Sequence, residues 1–513
     1  EITTGDWSSD VCSSDLRQVI VRRSIDPRSV ARSRLSDEIG RIDRSLPPRI
    51  ALTYPSPYRV AMSSLGFQTV YRRIQQSGQE TVARVFAPDD PPAWAQGSAD
   101  LSYETAAPLH AFALVAFSIA YELELASMLG MLSRAGIPLL GAERDGDSPL
   151  IVAGGPLTFS NPLPLAPFVD AVLIGEAEDE LMDLVDRALA AGSKAHRLEQ
   201  LATMGSVWVP SLHGDRLPQA AICHTEQLPA WAPIRTPHAE LRDMFLVEAV
   251  RGCSRRCHYC VMRGQKGRGM RIIPKERIMD RIPSEARKVG LVGASVSDHP
   301  HIVSVVETLA DRGCHVGLSS LRPERLREPL VRALRAAGAK TITTAMDGSS
   351  QRLRDLIERN TTAEHLLLAA QTCRQARIER LKLYLMVGLP GETTRDMEEC
   401  AALVRELSRL LPISLGISTF CAKVGTPLQT APFAGIDVAQ RHIKTLRRAL
   451  AGKAEVRATS IRWAWVEHVL AGGSASEGLA VFEAERRGGT FSDYRKAFEK
   501  LGHTPFSAHP GDD

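Results

Sequence analysis

The chain has 513 residues, 44% of them hydrophobic and 24% charged, with a formal net charge of +4; it can bury large cores in roughly three domains, and so slight a charge neither demands nor excludes a nucleic-acid partner. Its longest apolar runs, such as HAFALVAFSIAY at 110–121, fall short of the ~20 residues that cross a bilayer, so no membrane partner is expected. Nine cysteines are thinly scattered and no secretory peptide opens the chain, which together point to a reducing cytoplasm.

In chain order, the first stretch stands apart. GDWSSDVCSSDL (5–16) is polar, aperiodic and repeats Ser-Ser-Asp, and it matches what a common short-read sequencing adaptor encodes in one frame. Residues 1–16 are therefore read as an artefact, which removes Cys12 from the count, and 17–46 as an amino-terminal extension. Strand-sized apolar runs then alternate with helical periodicity over 47–191. RIALTYPSPYRV, TVARVFAP, ALVAFSIA, LIVAGG and DAVLIGEAEDE read as strands or strand ends, with helices such as SSLGFQTVYRRIQQSG and ELASMLGMLSRAG between them. This is an α/β, Rossmann-like parallel sheet, which takes ligands beyond the carboxyl ends of its strands: the loop from Tyr54 to Tyr58, Ser118 to Glu122, Gly154 to Pro156 and Gly175 to Glu178.

Residues 192–240 lack sustained periodicity and read as a connecting segment. Alternation resumes over 241–430 with MFLVEAV, GLVGASV, HVGLSS, TITTAMD, LKLYLMVGLPGE and LGISTF as six strands. A partial (β/α)6 barrel follows, with its site at the carboxyl ends of the strands. From 431 to 513 the chain reads as mainly helical, VAQRHIKTLRRALAG being the clearest stretch.

The first of those six strands leads straight into RGCSRRCHYC (251–260), with Cys253, Cys257 and Cys260 at C-x3-C-x2-C spacing. Structural zinc takes four protein ligands, commonly as two close pairs, and no second pair follows. His258 is poorly placed to share one tetrahedral ion with the cysteines on either side. A four-iron cluster held by three cysteines, by contrast, leaves one iron open for chemistry. Arg251, Arg255, Arg256 and Arg263 add positive charge that favours thiolates; they serve either as a solvated basic loop or as a dock for an acidic electron donor.

The motif, with Tyr259 as its aromatic residue, resembles the radical S-adenosylmethionine (SAM) enzymes, over about residues 244–430. The resemblance implies that Cys253, Cys257 and Cys260 hold a 4Fe–4S cluster, that SAM binds its open iron and is cleaved reductively, and that Tyr259 contacts the nucleoside. It also implies an electron donor of the flavodoxin or ferredoxin kind. Where the family's second strand ends in a Gly-Gly-Glu-like motif for the methionyl amine, this chain has VGASVSDHP, leaving Ser297 and Asp298 as acceptors. AMDGSSQRLR resembles a fourth-strand motif with Asp347 in place of Glu, and MVGLPGET, with Gly388 and Pro390, matches a turn near the adenine. A tight strand-to-helix turn explains those last residues nearly as well.

VAGGP and DAVLIGEAEDE resemble the end of cobalamin-binding domains fused to such barrels, with Gly154, Gly155 and Gly175 as points where a macrocycle approaches the backbone. YPSPYRVAMSSLGFQTVY is similar to the start of an uncharacterised subfamily of that architecture. No Asp-x-His-x-x-Gly motif follows the first strand, so either cobalamin sits here without a histidine ligand or the sheet no longer holds it. Cys314, Cys373, Cys400 and Cys421 read as buried small hydrophobes. The expectation is a radical SAM enzyme, cobalamin-dependent methylation being the foremost reaction and a rearrangement or ring closure the other, on a substrate the sequence does not name. From a different class, a zinc-stabilised nucleic-acid-binding protein is the alternative.

Overall fold

The computed structural model describes residues 26–89, 100–264, 269–319 and 321–507; the adaptor-like residues 1–16 lie outside them. Among the described residues the chain divides into two compact units, one of 26–245 with 473–501 and the other of 246–472 with 502–507.

In the first unit, β1 (Ile50–Pro57), β2 (Val82–Ala87), β3 (Leu114–Ser118), β4 (Leu150–Gly154), β5 (Ala171–Leu173) and β6 (Val207–Trp208) form one sheet in the order β2-β1-β3-β4-β5-β6. All pairs are parallel except β5 with β6. Every residue of β1 and β2 is buried, the continuous apolar pattern of strands covered on both faces. The helix Leu65–Ser77 starts where Ser64 Oγ accepts from Phe67 N–H and stops at left-handed Gly78. Its Phe67, Tyr71 and Ile74 pack on Ile50, Leu52 and Tyr54 of β1 to make the core. Because β1 has β2 on one side and β3 on the other, the carboxyl ends of β1 and β3 flank the switch point of the sheet.

The segment read as a mere connection carries a helix (Lys194–Ala202) and the antiparallel strand β6. Two residues give too little pattern to read, and what fixes β6 is tertiary: Trp208 is wholly buried and its Nε1–H donates to Gly214 O at 2.8 Å. The helices Ala475–Arg486 and Phe491–Glu499 also belong to this unit. Gly478 lets the first of them touch the backbone at Pro164, whose O would lie 2.1 Å from a Cβ.

In the second unit β7 (Phe245–Glu248) runs into a short antiparallel ribbon of β8 (Val250–Arg251) and β9 (Arg271–Ile272). Then come β10 (Lys288–Val292), β11 (His315–Leu318), β12 (Thr341–Asp347), β13 (Arg380–Val387), β14 (Ile413–Thr419) and β15 (Glu455–Ala458). They pair as β11-β10-β7 and β12-β13-β14-β15, and a parallel bridge between Leu321 and Thr344 joins the two arcs into a partial barrel. The six expected strands are β7 and β10 to β14. β15 is an addition within the region expected to be mainly helical; its sequence EVRA is a half-exposed edge with no apolar run.

Candidate functional site

The cysteine loop leaves the barrel at Gly252, whose φ of +78° turns the chain out of β8. All three thiols are free; Cys257 is buried, Cys253 and Cys260 half-buried. Burial pushes the Cys257 and Cys260 thiols up; Cys253 acts on Cys257, and Cys257 and Cys253 act on Cys260, in the same direction, so the sulfurs are near enough to feel one another. Among the described residues, Glu176, Glu178 and Cys223 place three ligand-type atoms within 4.8 Å of one another. Three thiols without a second close pair suit a cluster that takes three protein ligands better than one closed tetrahedral zinc. His258 is committed elsewhere, with Nδ1 2.8 Å from Leu356 O and Nε2 3.1 Å from a Glu358 carboxylate oxygen. The donor set therefore fits a cluster that takes three protein ligands.

The loop's own arginines are mostly spent on carboxylates. Arg251 is bidentate to Glu248 (2.6 and 2.8 Å), Arg255 donates to Glu324 (2.8 Å), and Arg263 donates to the Arg256 carbonyl (2.6 Å). Two distant arginines face the thiols instead. Arg322 Nη2 donates to Cys253 Sγ at 3.1 Å, and Arg359 acts electrostatically on Cys257, opposing the rise of its thiol.

The strand ends supply the remaining expected residues. Asp347 closes β12 in the left-handed region (φ +59°), accepts from Tyr259 Oη–H at 2.8 Å and is ion-paired with Arg359. Burial, then the Asp347 charge, holds the Tyr259 phenol well above its ordinary range. Burial works against the Arg359 cation, but Asp347 and Tyr259 more than offset it. Tyr259 packs with Met386 against Leu353, Leu389 and Phe420. Asp298 follows β10, and both its oxygens are occupied: Arg322 Nη1 is 2.6 Å and Ser295 Oγ 2.7 Å from Oδ2, and Arg325 Nε is 2.9 Å from Oδ1. Ser297 Oγ accepts from Arg322 N–H. Gly388 (φ +84°) and half-buried Pro390 form the turn after β13, which Glu392 organises by accepting from Gly388 N–H and Ser349 Oγ–H and by facing His442 Nδ1 at 3.1 Å.

In the first unit the glycines serve the chain's own backbone. A Cβ on Gly155 would lie 2.7 Å from Ile119 O and one on Gly175 2.5 Å from Ala221 O, while Gly154 has only ordinary neighbours. At Gly155 and Gly175 a side chain is excluded by the chain's own backbone. At the switch point Glu124, 3% exposed, accepts from Ser56 Oγ–H (2.7 Å) and Ala120 N–H (2.6 Å). Burial pushes its carboxyl up to about 7. Glu176, beside Gly175, accepts from Cys223 N–H at 2.9 Å, so its carboxylate ties down the chain around Cys223.

Residues 247–404 match the family model of the Radical SAM superfamily, and residues 66–210 match that of Radical SAM proteins, N-terminal. The chain belongs to the radical SAM superfamily. An uncharacterized protein of Methanocaldococcus jannaschii is 27% identical over 321 residues, covering 60% of this chain and 67% of that one. An uncharacterized methyltransferase of Pyrococcus horikoshii is 21% identical over 280 residues, 52% of this chain and 60% of its own length. The fold is shared with the radical SAM methyltransferase TsrM of Kitasatospora setae, at 14% identity. Its structure with cobalamin and a 4Fe–4S cluster gives a TM-score of 0.51 over 75% of this chain and 74% of that one; with tryptophan substrate and a SAM analogue bound the score is 0.54, over 74% of each chain.

Within this radical SAM chain, sequence reading missed Arg322, Arg359 and Glu124. The two arginines lie 69 and 102 residues beyond the thiols they act on, Cys253 and Cys257, and only the closure of the barrel brings them there. Glu124 could have been suspected, since it stands two residues past the strand-end loop Ser118 to Glu122 in an otherwise apolar helix face.

Proposed function

We propose that this protein is a cobalamin-dependent radical SAM methyltransferase in which Cys253, Cys257 and Cys260 hold a 4Fe–4S cluster. The observation that carries it is the loop: three free thiols at the end of the first barrel strand, with the loop's histidine, His258, turned to Leu356 and Glu358 instead of joining them as a fourth ligand. Three thiolates leave one iron for a non-protein ligand. When bound, the cluster and SAM supply one-electron reductive cleavage of the sulfonium, the electron coming from a flavodoxin- or ferredoxin-type donor. The chain's own part is to hold and orient. Tyr259, with its hydroxyl fixed on Asp347 and its ring packed near Leu389, presents an aromatic face for a nucleoside, and the Gly388–Pro390 turn is the expected place for the adenine. Asp347 keeps Arg359 from adding an unpaired buried charge beside Cys257.

Cobalamin is supported by the switch point between β1 and β3, by the fold shared with TsrM, and by the methyltransferase among the relatives. No histidine occurs in the Tyr54 to Tyr58 loop, so that loop would offer no imidazole to a bound cobalamin, which when held here would supply the methyl-transfer chemistry. The test is reconstitution with hydroxocobalamin. Stoichiometric retention through desalting, no nitrogen hyperfine splitting in the cobalt(II) resonance, and incorporation of label from methyl-labelled SAM into a product are expected. Failure of folded protein to retain cobalamin would remove methylation and leave the rearrangement or ring closure.

A further inference from the structure

Three successive strand ends meet at one guanidinium. Arg322 follows β11, Asp298 follows β10, and Cys253 follows the β7–β8 segment. Arg322 Nη2 donates to Cys253 Sγ at 3.1 Å while Nη1 lies 2.6 Å from Asp298 Oδ2, and the side chains of Arg322 and Asp298 are each only 6% exposed. The Arg322 backbone is fixed as well, by N–H donation to Ser297 Oγ at 3.2 Å. Asp298 is held from two further directions by Ser295 and Arg325. A planar fork with one arm on a carboxylate and the other on a sulfur cannot rotate away from either without breaking a buried contact.

We infer that Arg322, clamped by Asp298, is a positioning residue that sets the reduction potential of the centre held by Cys253, through a charge-assisted hydrogen bond to that sulfur. The inference rests on the reading of Cys253, Cys257 and Cys260 as cluster ligands. Hydrogen bonds and positive charge at a ligand sulfur stabilise the more negative, reduced state, and so raise the potential. The couple is one electron in from a one-electron reductant, with no protein bond made or broken. Arg325 supplies the control. It is 54% exposed and its Nε donates to the other oxygen of the same Asp298, at 2.9 Å.

The experiment is a mediated redox titration of anaerobically reconstituted protein, followed by electron paramagnetic resonance, with iron and sulfide assayed on each sample. Arg322→Met is expected to keep its iron and to make reduction about tenfold less favourable, which a one-electron couple reads as a potential lower by about 59 mV. Arg325→Gln is expected to match wild type. Should Arg322→Met fail to assemble, Arg322→Lys decides: it keeps the charge but loses the two-armed fork, and a smaller shift in the same direction is expected. An unshifted potential in the Arg322 variant that assembles overturns the inference, as does an equal shift in Arg325→Gln, which would mean that net charge alone acts. Wild-type protein that binds no cluster would instead overturn the underlying assignment, before any variant is compared.

Discussion

Replacing Glu124 by Gln probes the switch point of the first unit through its pH dependence. The carboxyl is 3% exposed, and burial outweighs its hydrogen bonds from Ala120 N–H and Ser56 Oγ–H to raise it from 4.5 to about 7. At about 1.36 kcal/mol per unit, a rise of about 2.5 units corresponds to ~3 kcal/mol. Below about 4.5 the folded and unfolded states are both protonated, and the contribution to stability is complete. As the pH rises toward about 7 the unfolded carboxyl ionises while the folded one stays protonated, and that stability is lost. Gln carries no such dependence, but its amide nitrogen cannot accept from Ala120 N–H if its oxygen serves Ser56, a loss of ~1 kcal/mol. Glu124→Gln should therefore be less stable than wild type by ~1 kcal/mol near pH 5 and more stable by ~1–2 kcal/mol near pH 8. Urea unfolding followed by circular dichroism at the two pH values measures this. Parallel pH dependence in the two proteins would refute the reasoning, because it would mean that Glu124 ionises in the fold as freely as in water.

Three other changes follow from the same geometry. Asp347→Ala leaves the Arg359 cation, 8% exposed, without its carboxylate and should cost ~3–5 kcal/mol in urea unfolding; adding Arg359→Met should recover most of it, and a simply additive double mutant would count against the pair. Gly175→Ala forces a positive φ and a 2.5 Å approach to Ala221 O, which should cost at least ~1–3 kcal/mol. Gly154→Ala, whose nearest neighbour would be Leu173 O at 3.7 Å, should stay within ~1 kcal/mol of wild type on the same assay, within the range of exposed or unstrained helix and strand glycines.

The strands and their ends were legible because apolar runs that stop at prolines and glycines advertise themselves: IALTYPSP is buried throughout, and LKLYLMV alternates buried with half-buried residues. β6 and β15 were not, because two residues and a half-exposed EVRA carry no pattern apart from the strands they pair with. The thiol spacing was visible in ten residues. Its electrostatics were not, since Arg251 and Arg255 turn to Glu248 and Glu324, while the cations that face sulfur, Arg322 and Arg359, arrive from other strand ends. Asp298 was expected to wait for the methionyl amine; it is engaged by Arg322 and Arg325. Glycine at 155 and 175 signalled a close approach correctly as a backbone requirement, but sequence alone could not say that Ile119 and Ala221 make the approach.

The most direct measurement is iron and sulfide content, with 5'-deoxyadenosine formation from SAM under reducing anaerobic conditions, in wild type and in the protein with Cys253, Cys257 and Cys260 all replaced by Ala. Wild type should carry a four-iron cluster and form the nucleoside; the triple variant should do neither while keeping its circular dichroism, because the loop lies beyond the strand ends and Cys→Ala removes only small side chains, of which Cys257 alone is buried. Cys373→Ala, which removes a wholly buried thiol of the helix Ala363–Gln375, should behave as wild type. A triple variant that retained a four-iron cluster, or a wild type that bound zinc and no iron, would contradict the account.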